Sequence, residues 1–350
     1  MMKTLFTLLF LLTALLSNSQ NTLDNVGLTS AAPASVAFSL RQLSTSYTGP
    51  LVRVKVGVSF YDVYPDASTK KFSLSSKISA AIGTYNAGVA AASANALSTI
   101  ISGSTNATVA IWYDQSGNGK NMTQTNTGYQ PQILFNGSLK YINSRPTIDF
   151  KDNKGLIYNT STKMASASVV IKSEYTNWPN YHAILDGGGR IGGLLQSGGT
   201  DFHGNQYGTA LWKNGTSIAN NASLSPINQS MVVSYTTALT AAGNLCVGNY
   251  DGNTAGGAVL QSEVVAFSSV FSTEDRKSVQ ASQGAYYGVT VADSGPVNSA
   301  GNGVWTSSDT SLATVGSSTG IVTGVAAGTP TITYTLTDAN SCAQAVTKVI

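Results

Sequence analysis

Short apolar runs separated by turn residues recur through residues 30–290, and this spacing limits the chain to a β-rich architecture. The runs are 51–60, 109–113, 132–135, 147–150, 168–172, 183–185, 210–213, 231–235, 245–248 and 258–267. Many short strands at such spacing favour two antiparallel sheets packed as a sandwich or jelly roll. Asn214-Gly215, between two apolar runs, predicts a two-residue hairpin turn.

Two segments have sequences typical of helices. Residues 76–101 are rich in alanine with intervening Ser, Asn and Gly, and they predict short helices. Residues 273–287 predict one helix, with Thr273 as its N-cap. Glu274 and Asp275 then lie in the first turn, where the helix dipole favours negative charge.

Few charged residues and a distinctive N-terminus indicate an extracellular protein. Only 10% of residues are charged, against about 25% in typical globular domains. Lys3 precedes an apolar run, 5–16, that is too short to span a bilayer. Ser17 and Ser19 suit a cleavage site, so residues 1–19 predict a signal peptide. We expect no membrane span in the mature chain. The net charge of +3, or +2 without Lys3 (3 − 1), excludes nucleic acid as an expected partner.

The cysteines and histidines predict neither a disulfide nor a metal site. Cys246 and Cys342 fall in what we interpret as different domains, so we expect no bridge between them. The sequence has no CxxC pair, which excludes common zinc and redox motifs. His182 and His203 lack the spacing of metal ligands, since a zinc site needs three or four converging side chains.

Residues 112–119 read Trp-Tyr-Asp-Gln-Ser-Gly-Asn-Gly and predict a strand that enters a tight polar turn. This segment resembles the same segment of concanavalin-A-like sandwich modules related to α-L-arabinofuranosidase B of glycoside hydrolase family 54. The closing portion, 247–289, is similar to laminin-G-like and concanavalin-A-like modules of secreted bacterial proteins. The resemblance covers most of residues 33–290. It implies an all-β fold, a concanavalin-A-like jelly-roll β-sandwich with a short C-terminal helix.

The C-terminal part resembles a different family. After a Gly/Pro/Ser/Asn linker, residues 304–350 are similar to a group-2 bacterial immunoglobulin-like repeat, through segments 304–309, 313–315, 320–328 and 331–336. The strands expected before Trp305 are missing, and the chain stops within a strand at Ile350. We therefore predict a small partial Ig-like β domain and a fragment of a longer surface protein. The predicted organisation is a signal peptide (1–19), a sandwich domain (30–290), a linker (291–303) and a partial repeat (304–350).

Carboxylates suitable for glycoside hydrolysis are scarce in this chain. Such hydrolysis usually needs two carboxyl groups, and the only glutamates are Glu174, Glu263 and Glu274. The resemblance implies an acid in a Gly/Asn-rich loop, where Asp251 matches with a one-residue shift. It also implies a nucleophilic Glu at a position that matches Gln196 here, and a Gln side chain has no ionised oxygen to act as nucleophile. Asp201 or Glu263 could substitute, so the catalytic candidates are Asp251, Asp201 and Glu263, and whether the protein is an enzyme stays open.

Sugar recognition does not require the pair of carboxyl groups that hydrolysis needs. Aromatic faces pack on sugar C–H surfaces while polar groups bind hydroxyls. Polar-aromatic loops supply such groups, although ordinary loops with buried aromatics have the same composition. The ligand-binding candidates are Trp178, Tyr181, Gln196, His203, Tyr250 and Asn253.

Asp114 and Asn118 form a structural turn or, alternatively, a calcium site, because oxygen-rich loops suit a hard cation. We expect no other cofactor. The sequence predicts a carbohydrate-recognising module of a bacterial surface or extracellular protein. The alternatives are an α-L-arabinofuranosidase-like hydrolase that acts on arabinose-containing polysaccharide and a structural adhesin module.

Overall fold

A computed structural model describes most of the chain, and β-strands dominate it. The described residues are 23–28, 34–152, 154–176, 182–187, 194–196, 208–219, 222–237, 243–248, 259–292, 304–317, 320–337 and 343–350. The larger unit contains β1 (Val36–Ser39), β2 (Val52–Val56), β3 (Ser59–Val63), β4 (Lys77–Ser79), β5 (Ala92–Ala96), β6 (Ala107–Trp112), β7 (Met122–Thr123), β8 (Gln132–Phe135), β9 (Ser138–Leu139), β10 (Tyr141–Ile142), β11 (Arg145–Pro146), β12 (Ile148–Asp149), β13 (Leu156–Thr162), β14 (Ser166–Ser173), β15 (His182–Asp186), β16 (Leu194–Gln196), β17 (Gly208–Lys213), β18 (Thr216–Ile218), β19 (Met231–Thr237), β20 (Gly243–Val247) and β21 (Val259–Phe267). Helix α1 (Thr273–Tyr287) follows β21, and two short 3-10 helices occupy Asp24–Val26 and Leu97–Ile100.

These strands form two antiparallel sheets. Sheet 1 has the order β18–β17–β19–β14–β21, and β1 and β12 pair one after the other with the free edge of β21. Sheet 2 has the order β5–β4–β3–β2–β6–β7–β13–β20–β15–β16. β8 joins the two sheets, because it pairs with β6 on one side and β12 on the other.

The main core lies between the two sheets. Phe38 and Phe150 pack on either side of Trp112, with ring centroids 5.7 Å and 6.4 Å from it. All three side chains are fully buried, and each such burial stabilises the fold by roughly 1.5–3 kcal/mol. The predicted all-β sandwich with a C-terminal helix is therefore confirmed.

Helix α1 covers the outer face of sheet 1 over the predicted residues, but its cap differs from the prediction. The Ser272 hydroxyl accepts a hydrogen bond from the Asp275 N–H at 3.0 Å, and Thr273 is the first helical residue. Ser272 has the extended backbone that an N-cap requires, so the cap is one residue earlier than expected. The helix ends at Gly288, whose φ of 65° places it in the left-handed region.

The helical prediction for 76–101 is wrong, apart from the short 3-10 turn. This segment forms β4, β5 and an intervening loop. Arg53 explains the difference, since its guanidinium donates to the carbonyl oxygens of Tyr85, Ala87 and Gly88. These tertiary hydrogen bonds outweigh the helix propensity of the alanines, which is favourable but small per residue. Residues 51–60 likewise contribute to two strands, because the chain turns at Gly57 with a φ of 59°.

The Asn214-Gly215 turn is confirmed, with both residues at positive φ and β17 paired to β18. The chain remains against the larger unit just beyond residue 290, since the Ala292 N–H donates to the Asn214 carbonyl oxygen at 2.7 Å. The domain boundaries themselves stay a prediction. Cys246 is buried in β20, while Cys342 and residues 1–22 lie outside the described residues. Within the described ranges, no helix is long and apolar enough to cross a membrane.

The C-terminal residues form the expected small Ig-like unit. Its three-stranded sheet has the order β22 (Val304–Ser307), β25 (Thr331–Thr337) and β26 (Ala343–Val349). A hairpin of β23 (Ala313–Val315) and β24 (Val322–Gly324) accompanies it. Trp305 packs on Tyr334 with ring centroids 4.7 Å apart, which joins neighbouring strands of the sheet.

Candidate functional site

Asp114 organises the turn that follows β6. Its Oδ1 accepts hydrogen bonds from the N–H groups of Ala37 and Ser116, at 2.9 and 3.0 Å. Its Oδ2 accepts from the Ser116 hydroxyl at 2.8 Å and the Lys120 N–H at 3.1 Å. Both carboxylate oxygens are thus bound by donors of the protein. The carboxylate ties the end of β6 in sheet 2 to β1 in sheet 1.

Neighbouring side chains of the same turn act similarly. The Asn118 carboxamide donates to the carbonyl oxygens of Ala34 and Ser35, both at 3.1 Å. The Gln115 side chain accepts from the Leu43 N–H at 2.8 Å and donates to the Arg41 carbonyl oxygen at 2.9 Å. These contacts give Asp114 and Asn118 a structural role. Across the described part of the chain, no group of three His, Cys, Asp or Glu side chains could hold a metal. Calcium binding here stays a prediction.

Glu263, a catalytic candidate, is completely buried beneath helix α1. Its carboxylate accepts from Arg41 Nε at 2.8 Å and Nη2 at 3.0 Å, and from the Ser39 hydroxyl at 2.9 Å. Burial, reinforced by this carboxylate, raises the pKa of Tyr287, whose hydroxyl lies 3.4 Å from Glu263 Oε2. The geometry supports a structural ion pair that fixes the helix on sheet 1.

Most of the other candidates lie outside the described residues. They are Trp178, Tyr181, Asp201, His203, Tyr250, Asp251 and Asn253. Gln196 is the last residue of β16, but its side chain is also outside the described part. The described strands nevertheless fix where the segments that carry these residues begin and end.

Strand pairing connects the first of three polar-aromatic segments to one end of each of the other two. The segments are 177–181, 197–207 and 249–258. His182, which follows the first, pairs with Gln196, which precedes the second. Ser173, shortly before the first segment, pairs with Val259, which follows the third. Strand register therefore brings both ends of the first and third segments and the start of the second to one end of the sandwich, whereas the second segment ends at Gly208, which pairs with Thr237 at the opposite end of sheet 1.

Phe150 marks this end of the molecule. Its N–H donates to the Val259 carbonyl oxygen at 3.0 Å. Gly248 packs so closely on its ring that a Cβ there would lie 2.2 Å from Phe150 Cδ1. The segment that carries Asp251 thus starts and finishes beside Phe150, whose sequence neighbours are Asp149 and Lys151.

Asp149 and Lys151 line a cavity of about 260 Å³. The other lining residues are Gln132, Phe135, Lys140, Asp152 and Lys154. Lys140 Nζ lies 3.3 Å from Asp149 Oδ2 and 3.6 Å from Glu174 Oε1, and Lys151 forms a close ion pair with Glu174. The cavity therefore holds a network of paired charges within a chain that has few charges.

Burial and pairing move the pKa values of this network. Burial raises the pKa of Asp149, although hydrogen bonding from the Lys151 N–H and the charge of Lys140 oppose the shift. Burial also acts to raise the pKa of Glu174, but Lys151 and Lys140 hold it below its ordinary value. The hydrogen bond with Glu174 raises the pKa of Lys151. The Glu174–Lys151 pair is accordingly ionised at neutral pH.

Exposed aromatic rings accompany the charged network. In the described ranges the exposed aromatic side chains are Phe135, Tyr141 and Tyr175, at 50%, 48% and 39%. Phe135 lines the cavity. Tyr141 follows Lys140, and Tyr175 follows Glu174. Sequence reasoning missed this set, although residues 149–154 carry four charges in a chain with 10% charged residues, and that local enrichment was a usable signal.

Comparisons with known proteins find one matching family model and several similar solved structures. Residues 267–347 match the family model described as a bacterial Ig-like domain (group 2). No curated protein matches the sequence. The chain is similar to a solved GH54 α-L-arabinofuranosidase soaked with a cyclic sulfate inhibitor, at 15% identity over 91% of this chain and 75% of that chain, with a TM-score of 0.44. It is also similar to an arabinofuranosidase complexed with arabinofuranosyl-α-1,2-xylobiose, at 14% identity over 92% of this chain and 75% of that chain, with a TM-score of 0.38.

Proposed function

We propose that this protein is a secreted bacterial carbohydrate-recognising module, and that it binds sugar at the end of the sandwich around Phe150. One observation carries the proposal: exposed aromatic rings accompany a cavity lined by ammonium, carboxylate and carboxamide groups. Aromatic faces pack against sugar C–H surfaces, while such polar groups bind hydroxyls.

The position of this cavity supports the same function. The segment that carries Asp251 begins and ends beside Phe150, the sequence neighbour of the cavity residues Asp149 and Lys151. Rigid strands hold Gln132 and Asp149, so the binding groups are oriented before the ligand arrives.

Hydrolysis of arabinose-containing polysaccharide is the second candidate. It is favoured by one observation, the buried Asp149 carboxyl beside the segment that carries Asp251. A two-carboxylate mechanism requires separations of about 5–5.5 Å for retention or about 6.5–9.5 Å for inversion. In this case the cavity beside Phe150 would hydrolyse the bound polysaccharide as well as recognise it. A purely structural adhesin role would use neither the exposed rings nor the cavity.

A glycan array followed by titration calorimetry tests the proposal. The Phe135→Ala variant removes the cavity's aromatic wall, and we expect it to weaken sugar binding about 2- to 10-fold. The matched control is Val270→Ala, because Val270 is 59% exposed and lies beyond the opposite end of β21. Equal affinity of the two variants, or no glycan bound by the wild type, would contradict the proposal.

A further inference from the structure

A second cavity is close to the first one along the chain, because its residues Asn143 and Lys172 are within three positions of Lys140 and Glu174. It has a volume of about 430 Å³ and is lined by the carboxamides of Asn143, Asn214, Asn228 and Gln229 together with Lys172. Carboxamides carry both donors and acceptors, so they suit the hydroxyl pairs of a sugar. Its size is within the usual range for small-ligand sites.

Two short pieces of backbone connect residues of the two cavities. Lys172 lines the second cavity, and Glu174 is ion-paired with the lysines of the first. These two residues are separated by roughly 7 Å of extended chain. In the second piece, Lys140 lines the first cavity and Asn143 lines the second. The β10–β11 hairpin connects them.

Tyr141 lies in that hairpin, between Lys140 and Asn143, and its side chain is 48% exposed. Tyr141 therefore offers an exposed ring on the piece of chain that connects two polar cavities, and such a ring can stack on a sugar unit.

Parts of the second cavity are rigidly held. The Asn143 carboxamide donates to the Tyr287 carbonyl oxygen at 2.9 Å, and the Asn214 carboxamide accepts from the Val232 N–H at 2.9 Å. Asn228 and Gln229 are instead exposed. Two carboxamides thus shape the wall, and two are available at the surface to a ligand.

We infer that the ligand is a glycan chain that occupies both cavities and crosses Tyr141, not a single sugar unit. This inference rests on the proposed carbohydrate recognition and adds that binding depends on chain length. Each sugar unit placed in the second cavity or on Tyr141 adds contacts that a ligand confined to the first cavity lacks.

Titration of the full chain with arabino- and xylo-oligosaccharides, from disaccharide to octasaccharide, tests the inference. We expect affinity to rise on the order of 10-fold across the series that binds. Tyr141→Ala should lower octasaccharide affinity about 2- to 10-fold and lower disaccharide affinity by a smaller factor. The double variant Asn228→Ala/Gln229→Ala should act in the same way, with Val270→Ala as the control.

The outcomes separate the two proposals. Disaccharide binding that is lost in Phe135→Ala but does not strengthen with chain length would overturn this inference and leave the proposed function intact. Equal effects of Tyr141→Ala on short and long ligands would also overturn it. If the wild type binds no oligosaccharide and no array glycan, the proposed function fails and this inference fails with it.

Discussion

Replacing Glu263 with alanine should destabilise the larger unit severely. The substitution leaves the Arg41 guanidinium, whose residue is only 8% exposed, without its carboxylate partner. It also removes the acceptor of the Ser39 hydroxyl. Loss of one partner from a buried pair costs about 3–5 kcal/mol in free energy of unfolding. For a domain of this size, that corresponds to a fall in Tm of about 6–20 °C.

Urea unfolding and thermal scans of the full chain provide the measurement. The control is Glu274→Ala, because Glu274 is in the first helical turn, where a charge contributes about 0.3–1 kcal/mol. The double variant Arg41→Met/Glu263→Met should lose less than the sum of the single variants, since no charge is then stranded. A loss below about 1 kcal/mol for Glu263→Ala, or strict additivity, would refute the structural role. A catalytic Glu263 predicts the opposite pattern: unchanged stability and lost turnover in Glu263→Gln.

Three further results are expected. Gly215→Ala should lower the free energy of unfolding by more than about 1 kcal/mol in urea. The reason is that Gly215 has a φ of +83° and a Cβ there would lie 1.7 Å from a carbonyl oxygen. The control is Gly103→Ala, which should leave stability unchanged because a Cβ at Gly103 meets nothing within 4 Å. Hydrogen bonds from the Thr69 N–H and nearby serine hydroxyls hold the pKa of Asp66 well below its usual value. The ionised Asp66 therefore stabilises the fold fully above the unfolded pKa of about 4, and this contribution is lost as pH falls through the folded pKa. If the stability of Asp66→Asn falls with acid as steeply as that of the wild type, this prediction is contradicted. Turnover of an aryl arabinofuranoside should be weak or absent, and robust turnover that Asp251→Asn abolishes without unfolding would establish the hydrolase alternative.

Local signals predicted the helix and the hairpin turn correctly, for identifiable reasons. The residues of helix α1 are bounded by a serine cap and a left-handed glycine, both of which act within a few residues. The helical prediction for 76–101 failed because the conformation of this segment depends on Arg53. A bidentate ion pair with Asp62 holds Arg53, with both contacts at 2.8 Å. That arginine is more than thirty residues from the carbonyl oxygens it binds, so no local pattern contains it.

The candidate site shows the same limit. Asp149 belongs to β12 and Glu174 directly follows β14, and both strands pair with β21. Lys140 contacts both carboxylates because of the sheet register, and the sequence alone does not show which strand residues pair with one another. Gln132 reaches the same cavity because it pairs with Asp149 across β8 and β12. The charge enrichment of 149–154 indicated that this segment was unusual, but not which side chains it would meet.

The most recognisable motif of the chain reports its fold for a physical reason. Asp114, Gln115 and Asn118 bind backbone groups of residues 34–43, so they join the two sheets at the turn after β6. This role in joining the sheets is independent of what the protein binds. The exposed rings and charges around Phe150 have no such architectural duty: Phe135 is half exposed, and its ring contributes little to the core. The proposed sugar specificity therefore rests on residues that do not join the two sheets, and sequence likeness in the turn carries no information about them.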